Sequence, residues 1–471
     1  MSFKKMDSED IVSALVKNII AVDYQTLPAE AVDMTRKQIL DALACMVAGS
    51  SGLRMKELVE IIGEWGRKEE STIVCYGRRV PSPSAALANA TMGSIWDFDD
   101  NLDIDAVHAE VPVVAAGFAT AEQKGAVGGQ DLITAVTLGM DLGYRLKLAN
   151  TKNLGTSYGW DFSCTHGFFS AAATSAKILG LDENKLRNAL GIAYHQAGGA
   201  GMGMHPLESA STKELGRGFA AQGGVVAASL ADRGFTGMKD FLMSRDGLYN
   251  CYMRGDVRPE ILTKELGETF MGVLGNFKPY SSCRNNHTAI DATLALVKEH
   301  DIKPEDVEEI IAYVGKSAYD SNCAPLEMKQ SPSTAGEACF SVPWVVATVI
   351  TYHNVEPKDF TEEAIKNRDV LNLAHKVTPK LTPEFGEAIT REPVIIEIKT
   401  KGKKNYSKRI DHCLGSTENP FSMEDIIRKF RNCATSYSAK PIPSEKVDEV
   451  VQMVQHLENV TDVSHIIRLL V

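Results

Sequence analysis

Between residues 110 and 240 the chain is built largely from small side chains. "PVVAAGFATAEQKGA", "HGFFSAAATSAKILG" and "AAQGGVVAASLADRGFTG" follow one another with little else between them. Alanine and glycine along helices let neighbouring helices approach closely. No alternation of strands with helices occurs over this stretch, which argues against a doubly wound sheet. The texture is that of a compact all-α bundle with buried helices, and any fold for the whole chain has to accommodate it.

The flanks agree with a helical body. "SEDIVSALVKNIIAV" has apolar residues at helical spacing, with Ser8 placed to cap. "PAEAVDMTRKQILDALACMVAGSSG" starts at Pro28, runs helical and stops at a glycine-containing turn. "MKELVEIIGEWGRK" is a further amphipathic helix, and "STIVCYGRRVPSP" reads as a short strand or extended link. Pro81 and Pro83 then break the chain before "SAALANATMGSIWDF".

Near residue 300 the pattern changes. "DVEEIIAYVGKSA" is rich in β-branched residues. "PVIIEIKTKGKKNYSKRID" alternates with period two around a turn at Lys401-Gly402, the mark of a hairpin. "PWVVATVITYH" between them is helical, and so are "SMEDIIRKFRNCA" and "SEKVDEVVQMVQHLENV" near the end. The sequence therefore predicts a mainly α protein: an all-α helical domain over residues 1–274, interrupted by an inserted α+β domain over 275–411, with residues 412–471 returning to the helical domain. A cleft between two such domains is a natural place for a site.

Several functions are excluded at this level. The 471 residues carry a net charge of -11, and no basic stripe is visible, so nucleic acid is not an expected partner. The short "KTKGKKNYSKR" stretch reads as a solvated hairpin. No apolar run is long enough to cross a bilayer, and the N-terminal segment lacks a signal-peptide core, so a cytoplasmic protein is expected. The nine cysteines are scattered, with no two within four positions, which argues against zinc knuckles, iron–sulfur ligand sets and a disulfide framework.

Three polar stretches carry candidate chemistry. "WDFDDNLDIDAVHAEVP", residues 96 to 112, gathers Asp97, Asp99, Asp100, Asp103 and Asp105 ahead of His108. Capping the helix that follows explains one or two acids, not five. Crowded carboxylates disfavour each other's ionisation, so one can act as acid or base near neutrality, beside an imidazole. A calcium loop is poorly supported, because the glycine and terminal glutamate of an EF-hand are missing from their offsets. In "ESASTKELGRGFAAQGG", Lys213 follows Ser211 and Thr212 at a helix start. A lysine there ordinarily points to water, yet it opposes the helix dipole; with two hydroxyls beside it, the group reads as an anion site. Arg217, one turn on, either contributes or faces solvent. In "GNFKPYSSCRNNHTAIDATLAL", Lys278, Ser281, Ser282, Cys283, Arg284, Asn285, Asn286 and His287 precede a helix. Capping by Ser281 or Asn286 accounts for one of them; a carboxylate-binding loop accounts for more. Cys283 lacks the surroundings of a nucleophile and is read as packing. His166 is read as a core histidine, and "HQAGGAGMGMHP", with His195 and His205, as a closely packed turn.

Taken in order, "DFDD" with its downstream histidine, "GFFSAAATSAKILGLDENKLRNALGIA", "STKELGRGFAAQGGVVAASLADRGFTG", "FKPYSSCRNNHTAIDATLAL", "CFSVPWVVA" and "GSTENPFSMEDIIRKFRNCA" resemble the MmgE/PrpD family along essentially the whole chain. That family includes 2-methylcitrate dehydratases, cis-aconitate decarboxylases and iminodisuccinate epimerases. The resemblance implies a helical domain with an α+β lid, a homodimer, no metal or organic cofactor, and a site in the cleft between the domains. It makes Asp97, His108 and Lys213 the catalytic residues, with one extra residue between the first two. It places Asn101, Lys278, Cys283, Arg284 and His287 at the substrate, and with Ser211, Thr212 and Ser282 from the polar stretches above these form the expected substrate-binding set. Two positions depart from the family pattern: Asp161 stands where many members carry histidine, and Gly216 follows Leu215 where many carry another. The expected function is a cofactor-independent hydro-lyase, similar to 2-methylcitrate dehydratase, acting on a small di- or tricarboxylate by proton abstraction next to a carboxylate. An epimerase of a small dicarboxylate, a decarboxylase and an inactive scaffold of the same fold are the alternatives.

Overall fold

The computed structural model describes residues 8–66, 68–104, 107–150, 159–200, 211–386 and 393–471. The first part is helical: α1 (Ser8–Ala21), α2 (Ala29–Gly49), α3 (Met55–Trp65), α4 (Ser82–Ser94), α5 (Glu110–Lys124), α6 (Gly129–Leu148), α7 (Phe162–Leu179), α8 (Glu183–Gln196) and α9 (Thr212–Asp232), with shorter turns of helix between. The "STIVCYGRRV" link is a small antiparallel pair, β1 (Ser71–Thr72) with β2 (Arg79–Val80). The small-residue stretches pack against one another. A Cβ added at Gly224 would collide with Ala171 of α7, and one at Gly218 with Thr91 and Leu87 of α4. Helix α9 therefore lies in the groove between α4 and α7 at backbone contact, which fixes where its first turn points.

Two apolar cores are present. One draws on residues from Ile11 to Phe277 and again from Phe421 to Leu470, the latter through α12 (Met423–Asn432), α13 (Ser444–Gln455) and α14 (Ser464–Leu469). The other lies between Tyr280 and Ile398. It contains a four-stranded sheet in the order β4-β3-β5-β6, from β3 (Val307–Val314), β4 (Val377–Leu381), β5 (Val394–Thr400) and β6 (Asn405–Ile410). Strands β3 and β4 run parallel and the other pairs antiparallel. Burial alternates along β5 and β6, so one face is covered and the other open. Helices α10 (His287–His300) and α11 (Val342–Tyr352) supply the cover. The molecule is mainly α, as its periodicity predicts. Among the described residues no helix is long and apolar enough to cross a membrane.

Candidate active site

Helix α4 ends at Ser94, and the chain then bends through Asp97, whose φ of 50° lies in the left-handed region. Aspartate tolerates that conformation better than most residues. The bend delivers a carboxylate into the boundary between the two cores, where two lysines meet it. Lys213, in the first turn of α9, brings its Nζ to 2.8 Å from Asp97 Oδ1. Lys278, wholly buried, donates to the same oxygen at 3.2 Å and to the Asp97 carbonyl at 2.9 Å. Burial pushes the Asp97 carboxyl upward, but the Lys213 and Lys278 ammoniums outweigh it and hold the group well below the usual carboxylate range. Burial likewise opposes the Lys213 charge, and Asp97 and Glu214 overcome it, keeping the ammonium above its ordinary value. Two cations thus share the Asp97 carboxylate, and Glu214 stands close to one of them.

His108 stands beside this cluster, half-hidden, with its side chain 12% exposed. Its Nδ1 lies 2.5 Å from the Asp100 carbonyl oxygen. A carbonyl only accepts, so the proton sits on Nδ1 and Nε2 carries the lone pair. Asp99 Oδ2 is 3.7 Å from the same Nδ1. Burial, together with the positive charges of Lys278 and Arg217, lowers the imidazole to about 4 against the opposing pull of Asp99. His108 is neutral at physiological pH, with Nε2 unpartnered among the described residues and Asp99 behind its Nδ1–H.

The other acids have separate tasks. Asp100 caps α5, accepting from the Ala109 and Glu110 N–H groups at 3.1 and 3.2 Å and from the Tyr144 hydroxyl at 2.9 Å. Burial and the neighbouring Asp99 raise it to about 7. Asp103 forms a two-pronged pair with Arg284, at 2.8 and 2.7 Å, and also accepts from Asn101 at 2.7 Å. Asp105 lies outside the described residues. Asp99, Asp100 and His108 are close enough to suggest a metal site. Both Asp100 oxygens and His108 Nδ1 are already committed to hydrogen bonds, so the donor set does not fit an ion.

The structure brings Asp97, His108, Lys213 and Lys278 together. It directs Asn101 and Arg284 instead into the Asp103 clamp, where Arg284 also donates to the Phe277 and Leu414 carbonyls. His287 is buried and neutral beneath Lys278, held well below its usual value by burial and by Arg284, with Nε2 facing the Ser282 carbonyl at 3.1 Å. The Cys283 thiol approaches Asn322, and burial raises it, so it is not an activated nucleophile. The Ser282 hydroxyl is buried without a hydrogen-bond partner among the described residues. Neither Ser281 nor Asn286 caps α10: Ser281 donates to the Trp96 carbonyl, and Asn286 to that of Cys339. Ser211 and Thr212 are exposed, and of the two Ser211 lines the cavity described below. His166 is a core residue stacked on Phe162, with both ring nitrogens unpartnered among the described residues. His195 is exposed, and His205 lies outside the described residues.

Sequence reasoning missed two buried ion pairs. Arg217 does not face solvent: it is buried against Asp161, which also caps α7 through the Ser163 and Cys164 N–H groups. Ser163 in turn accepts from the His108 N–H at 3.0 Å. The Asp161 departure is thus one half of a pair that ties α9, α7 and the His108 loop. Lys429 of α12 reaches Asp41 of α2 at 2.8 Å and the Phe98 carbonyl at 2.7 Å, holding the acidic loop from behind. Asp41 and Lys429 carry a sequence signal, since each interrupts an apolar helical face.

A cavity of about 820 Å³ opens between the two cores and is lined by Asp97, Lys213 and Glu214; His108 and Lys278 stand behind Asp97 and are not among its lining residues.

Comparison with known proteins finds matches over nearly the whole chain. The model of the MmgE/PrpD N-terminal domain matches residues 13–260, and that of the MmgE/PrpD C-terminal domain matches residues 280–456. Cis-aconitate decarboxylase from Aspergillus terreus (strain NIH 2624) is 26% identical over 464 residues, covering 94% of this chain and 92% of that protein. The cis-aconitate decarboxylases of Mus musculus and Homo sapiens are 26% and 25% identical, covering 93% of this chain and 88% and 90% of their own lengths.

Proposed function

The chain belongs to the MmgE/PrpD family, and we propose that it is a lyase for a small di- or tricarboxylate, starting with proton abstraction next to a carboxylate. The observation that carries this reading is the pairing of a neutral imidazole, its Nε2 lone pair unspent, with two lysines that share a single carboxylate. Lys213 has spent one of its three donors on Asp97 and lines the cavity. A substrate carboxylate there meets a cation already desolvated and fixed in place.

In the reaction, His108 Nε2 takes the proton from the carbon beside the bound carboxylate. The electron pair moves into that carboxylate, and Lys213 and Lys278 stabilise the charge that develops on its oxygens. The imidazolium so formed has Asp99 at 3.7 Å from its Nδ1–H. The electrons then return to form the carbon–carbon double bond and expel the neighbouring hydroxyl. That hydroxyl leaves as water with the proton His108 gives back. Asp97 stays ionised and holds both lysines.

A second reading, decarboxylation, is favoured by the names of the relatives. Here the bond to a carboxylate breaks, CO2 leaves, and the same lysines hold the charge before a proton is delivered to carbon. The test is a panel of di- and tricarboxylates followed by NMR in D₂O. Loss of water from a hydroxy acid supports the first reading, and release of CO2 the second. Deuterium exchange with no net turnover would mean epimerisation. No exchange and no turnover with any acid, from a folded protein, overturns the assignment as an enzyme of this class.

A further inference from the structure

The space over Lys213 is larger than the acid its charges would hold. At about 30 Å³ for each water-sized group, a tricarboxylate of roughly a dozen heavy atoms fills less than half of 820 Å³. The remainder has an apolar strip among polar groups. Leu53 and Ile95 line it, Trp96 packs against both cores, and Phe340, Phe360 and Ile365 belong to the sheet-containing core, with Ser51, Glu214, Ser333, Thr334 and Thr361 beside them. The apolar wall starts at the cation itself, since the Phe340 ring centroid lies 5.1 Å from Lys213 Nζ. Leu53 is 54% exposed, a large apolar side chain with its surface turned to open space in a wall of this cavity. Glu362, Glu363 and Lys366 also border the cavity and are exposed, which places charges at its mouth.

Resting on the carboxylate reading above, we propose that the substrate is an acid bearing an apolar substituent of several carbons. Its carboxylates sit at Lys213, and the substituent lies against Leu53, Ile95, Trp96 and Phe340, the apolar lining residues that keep accessible surface, with the buried Phe360 and Ile365 behind them. A short acid would leave those four side chains facing water. A substituent that covers them gains about fourfold in affinity for each methylene buried. Specificity for such an acid is set by the wall and not by the charged floor, so it is separable from the chemistry by mutation.

Calorimetric titration with succinate and its ethyl, butyl, hexyl and octyl derivatives tests this without depending on turnover. Affinity is expected to climb with chain length, by a factor of a few per methylene, until the chain reaches the mouth. Leu53→Asp changes an exposed position, and its fold can be checked by thermal melting. It should flatten that climb while leaving succinate affinity within about twofold of the parent protein. Succinate binding with no dependence on chain length overturns the proposal and leaves the carboxylate site intact, as does a climb that Leu53→Asp does not alter. Failure of every acid to bind, or binding that Lys213→Ala leaves unchanged, overturns the carboxylate reading and this proposal with it.

Discussion

At the scale of the residue, the site depends on which groups carry charge. His108 is useful as a base because burial keeps it neutral, and its direction is set by one carbonyl on Nδ1. A positioned acid–base group contributes about 10²–10⁴-fold in rate. His108→Gln should therefore lower turnover by that order with acid binding, followed by titration, nearly unchanged. The pH profile offers an independent check. The imidazole has to be deprotonated, and its lowered value moves the acid limb of kcat/KM down to about pH 4. A limb at the ordinary imidazole position, about 6.5, would show that another group is titrating. Lys213 makes a different prediction. Lys213→Ala leaves Asp97 with Lys278 alone, so binding of the acid should fall by at least tenfold. Stability should fall by about 1–3 kcal/mol, because a buried carboxylate has lost a partner. Equal affinity in parent and mutant would remove Lys213 from the site.

At the scale of the element, the site is held by contacts between helices. Helix α9 can present Lys213 to Asp97 because Gly218 and Gly224 let it sink against α4 and α7. Its rotation is then pinned by Arg217 against Asp161 at the start of α7. Breaking a buried pair on one side typically costs about 3–5 kcal/mol, since the remaining charge is left without compensation. Arg217→Ala should show a loss of that size in chemical denaturation. Adding Asp161→Asn to it should recover part of the loss, because the stranded carboxylate is gone. A double mutant that is less stable than Arg217→Ala by the full single effect of Asp161→Asn would mean that the two residues act independently.

At the scale of the whole molecule, a group of buried acids makes stability depend on pH. Burial raises Asp41 against the opposing pull of Lys429, raises Asp100 to about 7, and raises Glu110 well above its usual range. A carboxyl raised in the folded state stabilises the fold fully below its unfolded value, about 4, and loses that contribution as pH climbs through the folded value. Asp97 and Asp161 are held low and act in the opposite sense, withdrawing stability only at more acidic pH. Each raised acid therefore favours the fold more near about pH 5 than near about pH 8, while His108, His166 and His287, held by burial below the usual imidazole range, pull the other way over the same interval. Asp100→Asn should remove one acid's share, making stability at about pH 8 relative to about pH 5 higher than in the parent protein. A variant whose stability changes between the two pH values just as the parent's does would contradict the buried-acid account.

What the chain determines locally can be read without the fold. Helical periodicity, the Ala/Gly stretches and the β-branched strands specify a mainly α molecule with an α+β portion, because each signal lies within a single element. The acids ahead of His108 and the lysines at Lys213 and Lys278 are visible as candidates for the same reason: polar groups concentrated at element ends. Partner choice is not local. Asp97 meets Lys213 across 116 positions and Lys278 across 181. Arg284 and Asn101 resemble ligand-binding residues in the sequence, yet Asp103 takes both. Arg217 has the spacing of a solvent-facing residue, yet it is buried because Asp161 compensates it. A charge is stable in a buried position only where an opposite charge stands within a few ångströms. Those few ångströms are set by how helices from distant parts of the chain pack, and only the tertiary structure decides that.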